Sequence, residues 1–291
     1  MNHAQLASVL HSRWGLTVDD IQVLTGGMNS SAWKVGVDGQ PLAAKLVHAS
    51  DRAAFLTGLF AAGVVDAAGV PSGIAVATLD GALWADVPGG ALGLLSWVDG
   101  MALVGDQRDQ QVMGDTLGQA HTALVSAGPA DTHAFRPIDL DAAHLDVEGW
   151  VRPAVRDALT HWDAVASEIT TWSLLHGDPA PEAFLWSSLR GTCGLIDWSS
   201  ACYGPALYDL ASAVMYVGGP DRAAPLLAAY LEHGLLSKDE LRLGLRSMVG
   251  LRWAVQADYF ARRIRADNLT GIADRRGNTK GLHDARRHLT C

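Results

Sequence analysis

Apolar residues fall into short bursts over the first hundred positions and take up helical spacing afterwards. Residues 4–13 carry a short helical pattern. A brief apolar run over 21–24 ends in Thr25-Gly26-Gly27. Residues 32–37 alternate toward Asp38-Gly39, a hairpin-turn dipeptide, and 41–47 supply the next strand. A helix is predicted over 51–68, with Ser50 placed to cap it and Gly69 to stop it. Three more strands are expected at 74–78, 81–84 and 92–98. The period then changes at Asp99-Gly100: Val112, Leu117, Ala120 and Leu124 recur at helical spacing within 108–126. A loop-rich stretch with Pro129 and Pro137 covers 129–148, and helices follow at 150–169, 205–217, 221–233 and 238–264. A strand-rich front and a helix-rich back predict an α+β chain of two lobes, residues 1–98 and 99–291, joined near 96–100.

Composition narrows the class. With 291 residues, 49% of them hydrophobic, the chain buries a core large enough for one large domain or two modest lobes. A net charge of -9 and the lack of a long basic run argue against a nucleic-acid partner. The acidic balance tolerates cationic small molecules. Cys193, Cys202 and Cys291 are odd in number and match no zinc spacing, which suggests reduced thiols in a cytoplasmic protein. Residues 1–16 have no signal-peptide pattern, and the apolar stretches break before membrane-spanning length. The expectation is a cytoplasmic monomer or homodimer with no membrane or nucleic-acid partner.

Two segments carry the chemistry: Leu174-Leu175-His176-Gly177-Asp178-Pro179 and Gly194-Leu195-Ile196-Asp197-Trp198. Each sets an Asp at the end of an apolar, strand-like run. Residues 184–186 and 193–196 are spaced to pair as a hairpin turning through 187–191, which would bring Asp178 and Asp197 to one side. A lone Asp most often just ends a loop. Two neighbouring carboxylates suit phosphoryl transfer for separate reasons. One orients or deprotonates an attacking hydroxyl, and the other holds a hard divalent cation that bridges phosphate oxygens.

His176-Gly177-Asp178, Ile196-Asp197-Trp198 and Tyr208-Asp209-Leu210-Ala211 resemble the aminoglycoside-phosphotransferase-like kinases, a family that also includes choline, homoserine and macrolide kinases. The resemblance implies a two-lobed, protein-kinase-like fold with a strand-rich N-lobe and a helix-rich C-lobe. It implies Asp178 as the catalytic Asp, Asp197 as the magnesium ligand, and bracing roles for His176 and Asp209. Lys45 stands where the family's nucleotide lysine lies, and residues 94–100 match its hinge. Two departures stand out. Ala183 occupies the place of the usual metal-binding Asn five residues after the catalytic Asp, so Glu182 supplies the oxygen instead, or one metal suffices, or catalysis is lost. The helix after Lys45 lacks the usual Glu, with only Asp66 inside it and Asp51 before it.

On the nucleotide side, Gly26, Gly27 and Ser30 lie in a loop whose backbone N–H groups suit phosphate oxygens, although Gly-Gly between strands is commonly a plain turn. Lys45 points inward to a phosphate or outward by strand alternation. Ser96 and Val98 in the connector suit the adenine edge, and Leu185 and Ile196 its apolar floor, or core packing. On the acceptor side, 139–150 and 254–260 are candidate linings, with Asp258 and Tyr259 as binding residues. Arg262, Arg263 and Arg265 suit a solvated helix end better than a ligand site. The expected activity is an ATP- or GTP-dependent, Mg²⁺-dependent O-phosphotransferase acting on a hydroxylated small molecule, an antibiotic by analogy. The alternatives are a metabolic kinase of homoserine or choline type, a kinase-fold binding protein without catalysis, and a metal-dependent hydrolase.

Overall fold

The computed structural model describes residues 1–25, 27–28, 30–127, 133–135 and 138–290. Helix α1 (His3–Trp14) starts at Asn2, whose side chain accepts from the Gln5 N–H while Gln5 reaches back to the Asn2 N–H. That reciprocal cap satisfies two of the donors a helix start leaves open. Leu6, Leu10 and Trp14 then pack against Trp33, Val35, Ala44, Leu92 and Leu94 of a sheet.

The sheet grows by hairpins: β1 (Asp20–Leu24), β2 (Ser30–Val37) and β3 (Gln40–His48) run antiparallel, with Asp38 and Gly39 at positive φ in the turn. A single turn of 3-10 helix, Ala49–Asp51, leads into α2 (Arg52–Ala67). Ser50 lies inside that turn, bonded to His48 and Asp51, so Asp51 takes the cap position that the sequence assigns to Ser50. The strands expected at 74–78 and 81–84 do not form; residues 74–78 make one isolated bridge, Ala75 to Leu95. The cause is local. The Thr78 hydroxyl bonds to Asp80 and to the Ala82 carbonyl, and Gly81 takes a positive φ, so the chain curls away after Val76 and its pairing with residues 94–96 goes no further. β4 (Ala85–Val87) and β5 (Gly90–Ser96) complete the sheet in the order β1-β2-β3-β5-β4.

Trp97-Val98-Asp99-Gly100 carries the chain to β6 (Met101–Ala102) and α3 (Gln107–Leu124), capped by Asp106. α4 (Val151–Asp163) stops short of 169, where the chain turns to put Ile169 into the helical core. Then follow β7 (Trp172–Leu175), β8 (Phe184–Ser187), β9 (Thr192–Leu195) and β10 (Cys202–Pro205). β8 and β9 form the expected hairpin, with Phe184 opposite Leu195, and β6 joins its free edge. β10 pairs with β7. α5 (Leu207–Tyr216), α6 (Ala224–Leu231), α7 (Lys238–Arg265) and α8 (Arg275–Leu289) close the chain. α8 escapes sequence patterning because its buried stripe is only Asn278, Gly281, Leu282 and Ala285 among many charges.

The result is a two-lobed α+β fold. One large core joins the helices to β7, β8 and β9, and separate clusters lie on the two faces of the five-stranded sheet. Ser237 and Glu240 form a capping box at the start of α7. The same Glu240 carboxylate accepts from the Thr170 and Thr171 N–H groups at 2.9 and 2.8 Å, which anchors the entry to β7. Among the described residues, no helix is long and apolar enough to cross a membrane.

Burial pushes the Cys193 thiol up to about 11 and the Cys202 thiol up to about 12. A thiolate is the reactive form, so both should resist alkylation at pH 8 in the native protein and react once it is denatured. Peptide mapping of the label checks this; rapid native labelling of either would show that its surroundings open.

Candidate active site

β7 delivers the chain to His176-Gly177-Asp178, and a buried carboxylate holds it there. Asp209, in the first turn of α5, is fully buried. It accepts the His176 N–H at 2.6 Å and the Gly177 N–H at 2.9 Å. His121 of α3 reaches the same carboxylate through Nε2 at 3.1 Å, and its Nδ1 meets the Tyr230 hydroxyl of α6 at 2.7 Å. A carboxylate this deep is tolerated because its oxygens are hydrogen-bonded. Three helices thus converge on the backbone of one loop.

Gly177 has φ +87°, and a Cβ there would stand 2.0 Å from the Ser200 carbonyl oxygen. Only glycine fits that approach. The Asp178 N–H donates to His176 Nδ1 at 3.3 Å, so the ring proton lies on Nε2, which donates to the Ile196 carbonyl at 2.7 Å. The His176 ring also packs on Trp198 with centroids 4.8 Å apart. The two sequence segments that carry Asp178 and Asp197 are therefore in direct contact.

Asp178 is half-exposed and restrained through one oxygen. Its Oδ1 accepts from the Tyr216 hydroxyl at 2.7 Å and from Arg252 Nη2 of α7 at 3.1 Å. Oδ2 has no hydrogen-bond partner among the described residues. Arg252 is buried, with its guanidinium carbon 5.4 Å from the centre of the Tyr208 ring. Neither Arg252 nor Tyr216 belongs to a motif. The available signal for Arg252 is a single charge in the apolar run Met248-Val249-Gly250-Leu251-Arg252-Trp253-Ala254-Val255, where an unpaired cation would be costly.

Asp197 follows β9 in the left-handed region, with φ 68° and ψ 56°. A non-glycine residue held there is uncommon. Lys45 points inward and places Nζ 2.5 Å from Asp197 Oδ1, which Ser199 also meets at 2.6 Å. Burial opposes the charge on Asp197, but the Lys45 ammonium and these hydrogen bonds outweigh it and hold the carboxyl well below the usual carboxylate range. Oδ2 has no partner among the described residues, which leaves a hard oxygen donor for a divalent cation. Lys45 therefore finds its acid in Asp197 rather than in α2. Asp51 precedes that helix, and Asp66 instead accepts the Ser72 N–H at 3.1 Å. α2 touches the site through its backbone: a Cβ on Gly58 would lie 1.9 Å from the Trp198 carbonyl oxygen.

Glu182 is exposed on a 3-10 turn, Pro181–Ala183. Burial and then the charge of Asp178, opposed by Arg252, push the hydroxyl of Tyr216 well above its ordinary range, and Glu182 adds the smallest share. Ala183 is buried, and its carbonyl accepts the Ile196 N–H at 2.9 Å. Among the described residues, no three His, Cys, Asp or Glu side chains gather as a metal set.

Gly26 lies outside the described residues. Gly27 is exposed in the β1–β2 loop, and Ser30 opens β2. Ser96 is engaged elsewhere: its hydroxyl accepts the Ile74 N–H at 3.0 Å and its own N–H donates to the Ile74 carbonyl at 2.8 Å. The Val98 side chain packs by Gly73 and Gly194, while its backbone N–H and C=O have no hydrogen-bond partner among the described residues. Leu185 and Ile196 are half-buried.

Asp258 is already engaged, bonded to His144 at 2.6 Å and to Arg262 at 3.4 Å. Burial, opposed by Arg263 and supplemented by the charge of Asp178, pushes the Tyr259 hydroxyl up, and that hydroxyl accepts from Arg263 Nη1 at 3.2 Å. The arginines at the end of α7 divide. Arg262 and Arg265 are exposed, whereas Arg263 is only 3% exposed, contrary to a solvated helix end.

Residues 20–245 match the model of the phosphotransferase enzyme family. An amicoumacin kinase solved with AMP-PNP, Ca²⁺ and Ami superposes with a TM-score of 0.75 at 11% identity, covering 99% of this chain and 93% of that one. A microcompartment-associated aminopropanol kinase gives 0.74 at 15% identity, with 98% and 95% covered. The aminoglycoside phosphotransferase APH(4)-Ia gives 0.68 at 16% identity, with 99% of each chain covered. These likenesses show a protein-kinase-like fold. No curated protein sequence matches the chain.

The Gly177 approach gives a direct test. Gly177→Ala should lower unfolding free energy by at least ~1–3 kcal/mol, the usual scale of a strained backbone, because the Ser200 carbonyl must also move. Chemical denaturation checks it; wild-type stability would mean the two segments are not locked together.

Proposed function

The chain belongs to the phosphotransferase enzyme family, and on that premise we propose that it transfers the γ-phosphate of ATP or GTP to a hydroxyl of a small molecule, with Asp178 aligning that hydroxyl. Residues 1–98 supply the nucleotide side, and 99–291 supply the catalytic loop and the acceptor side. The observation that carries this reading is the state of Asp178: one oxygen is fixed by Tyr216 and Arg252, and the other is open. The open Oδ2 accepts the hydroxyl proton as the oxygen attacks Pγ and the bond to the departing diphosphate breaks.

Lys45 and Asp197 are the natural partners of the two halves of a metal nucleotide: the ammonium for phosphate oxygens and the carboxylate for the cation. A divalent cation such as Mg²⁺, arriving with the nucleotide, would offset the phosphate charge there. Asp197 Oδ2 would hold it, and the Ala183 methyl contributes nothing, so Glu182 or water completes the set. The loop through Gly26, Gly27 and Ser30 faces the phosphates. The free Val98 backbone takes the adenine edge, above Leu185 and Ile196. Ser96 supports the connector through Ile74. His176 and Asp209 brace the loop that presents Asp178. Rate arises from positioning and charge stabilisation.

For the acceptor we favour an antibiotic over a metabolite, by analogy with the aminoglycoside enzyme. Tyr259 lines its side of the cleft. Asp258 is tied to His144 and Arg262, so it orients that wall rather than binding an amine directly. One observation favours a second reading, a binding protein without turnover: the buried methyl at Ala183 where a metal ligand is customary.

Acceptor-stimulated ADP release across hydroxylated antibiotics and metabolites separates the two. Turnover on at least one compound is expected, and Asp178→Ala should lower it by about 10²–10⁴ while nucleotide binding persists. Undiminished turnover in that variant would remove Asp178 from its role. Nucleotide binding with no turnover on any acceptor would favour the binding protein.

A further inference from the structure

The C-terminal end of α7 lies against the β1–β2 loop, far from it in sequence. Arg263 is buried there, and all of its donors are in use. Nε donates to Asn278 Oδ1 at 2.8 Å. Nη1 donates to the Met28 carbonyl at 2.8 Å and to the Tyr259 hydroxyl oxygen at 3.2 Å. Nη2 donates to the Asn268 and Thr270 carbonyls at 3.3 and 2.5 Å. Every one of these acceptors is neutral. Among the described residues, no carboxylate pairs with Arg263.

The segment after α7 reinforces the contact. Gly271 has φ +73°, and a Cβ there would stand 2.4 Å from the Gly27 carbonyl oxygen and 2.9 Å from Met28 Cα. The chain therefore builds a close backbone approach and a buried cation against the same two residues. A buried guanidinium without a counter-charge is costly unless the site meets negative charge in use. The loop it holds is the one that the phosphotransferase reading assigns to the phosphates.

Resting on the phosphotransferase reading, we propose that Arg263 is a positioning residue for the nucleotide phosphates. It fixes the β1–β2 loop through the Met28 carbonyl and sets an uncompensated positive charge behind that loop. With its donors committed, it acts through loop geometry and field rather than by touching the nucleotide. This puts part of phosphate recognition in the C-terminal lobe, on the same helix that restrains Asp178 through Arg252.

Calorimetric titration with Mg²⁺–AMP-PNP and with adenosine tests it on the full chain. Arg263→Met should weaken AMP-PNP binding by about tenfold or more, with Arg263→Lys between it and the wild type. Adenosine, which has no phosphates, should bind both variants as it binds the wild type. Arg265→Met, which removes an exposed charge two residues away, should bind AMP-PNP normally. Unchanged AMP-PNP affinity in Arg263→Met, or an equal loss for adenosine, would overturn the proposal. If Arg263→Met does not fold, Gly271→Ala disturbs the same contact without removing charge. It should weaken AMP-PNP selectively, and wild-type affinity there would also overturn the proposal. A wild-type protein that binds no nucleotide would instead refute the phosphotransferase reading itself, an outcome visible before any variant is made.

Discussion

The fully buried carboxylate of Asp209 is the constraint on which the rest of the site depends. A charge at that depth must be satisfied by donors, and two of them are backbone N–H groups of the loop that presents Asp178. Satisfying Asp209 therefore fixes the loop. His121 and Tyr230 extend the requirement to α3 and α6, so the helical core and the loop geometry cannot change independently. From the loop, His176 reaches the Ile196 carbonyl and Gly177 lies against Ser200, which sets where Asp197 stands.

Around this fixed centre the charges are arranged in opposed pairs. Asp197 meets Lys45 from the sheet lobe, and Asp178 meets Arg252 from α7. Each acid is held through one oxygen, leaving the other directed elsewhere. A carboxylate held this way can orient a reacting group without having to reorganise first, which is the source of most rate enhancement in phosphoryl transfer. α7 is anchored at its start through Glu240 to the entry of β7 and near its end through Arg263 to Met28. One helix thus spans from the strand that leads to Asp178 to the β1–β2 loop.

Much of this was legible in the sequence where chemistry and spacing coincide. The two apolar runs ending in Asp178 and Asp197, and the hairpin between them, need only strand period and turn residues. The sheet hairpin at Asp38-Gly39 was readable for the same reason. Residues 74–84 were misleading because Thr78 and Asp80 form a side-chain turn that outcompetes pairing, and alternation does not register such bonds. α8 was silent because a helix packed mainly against α7 needs only a thin apolar stripe. The partners of Asp178 and Lys45 were hidden for a deeper reason. Arg252 and Asp197 meet them across large sequence separations, and only the folded chain decides which charges adjoin. Arg263 reads in the sequence as a surface residue, as its neighbours Arg262 and Arg265 are, while one helical step turns it into the interior.

Amide hydrogen exchange at His176 and Gly177 tests the central claim, that Asp209 locks the loop of the candidate active site into the helical core. If it does, both N–H groups open only with the whole molecule, and their exchange should lie near the global-unfolding limit. Exchange orders of magnitude faster than that of the core helices would contradict the account, because the loop would then open on its own and Asp209 would not hold Asp178 in place.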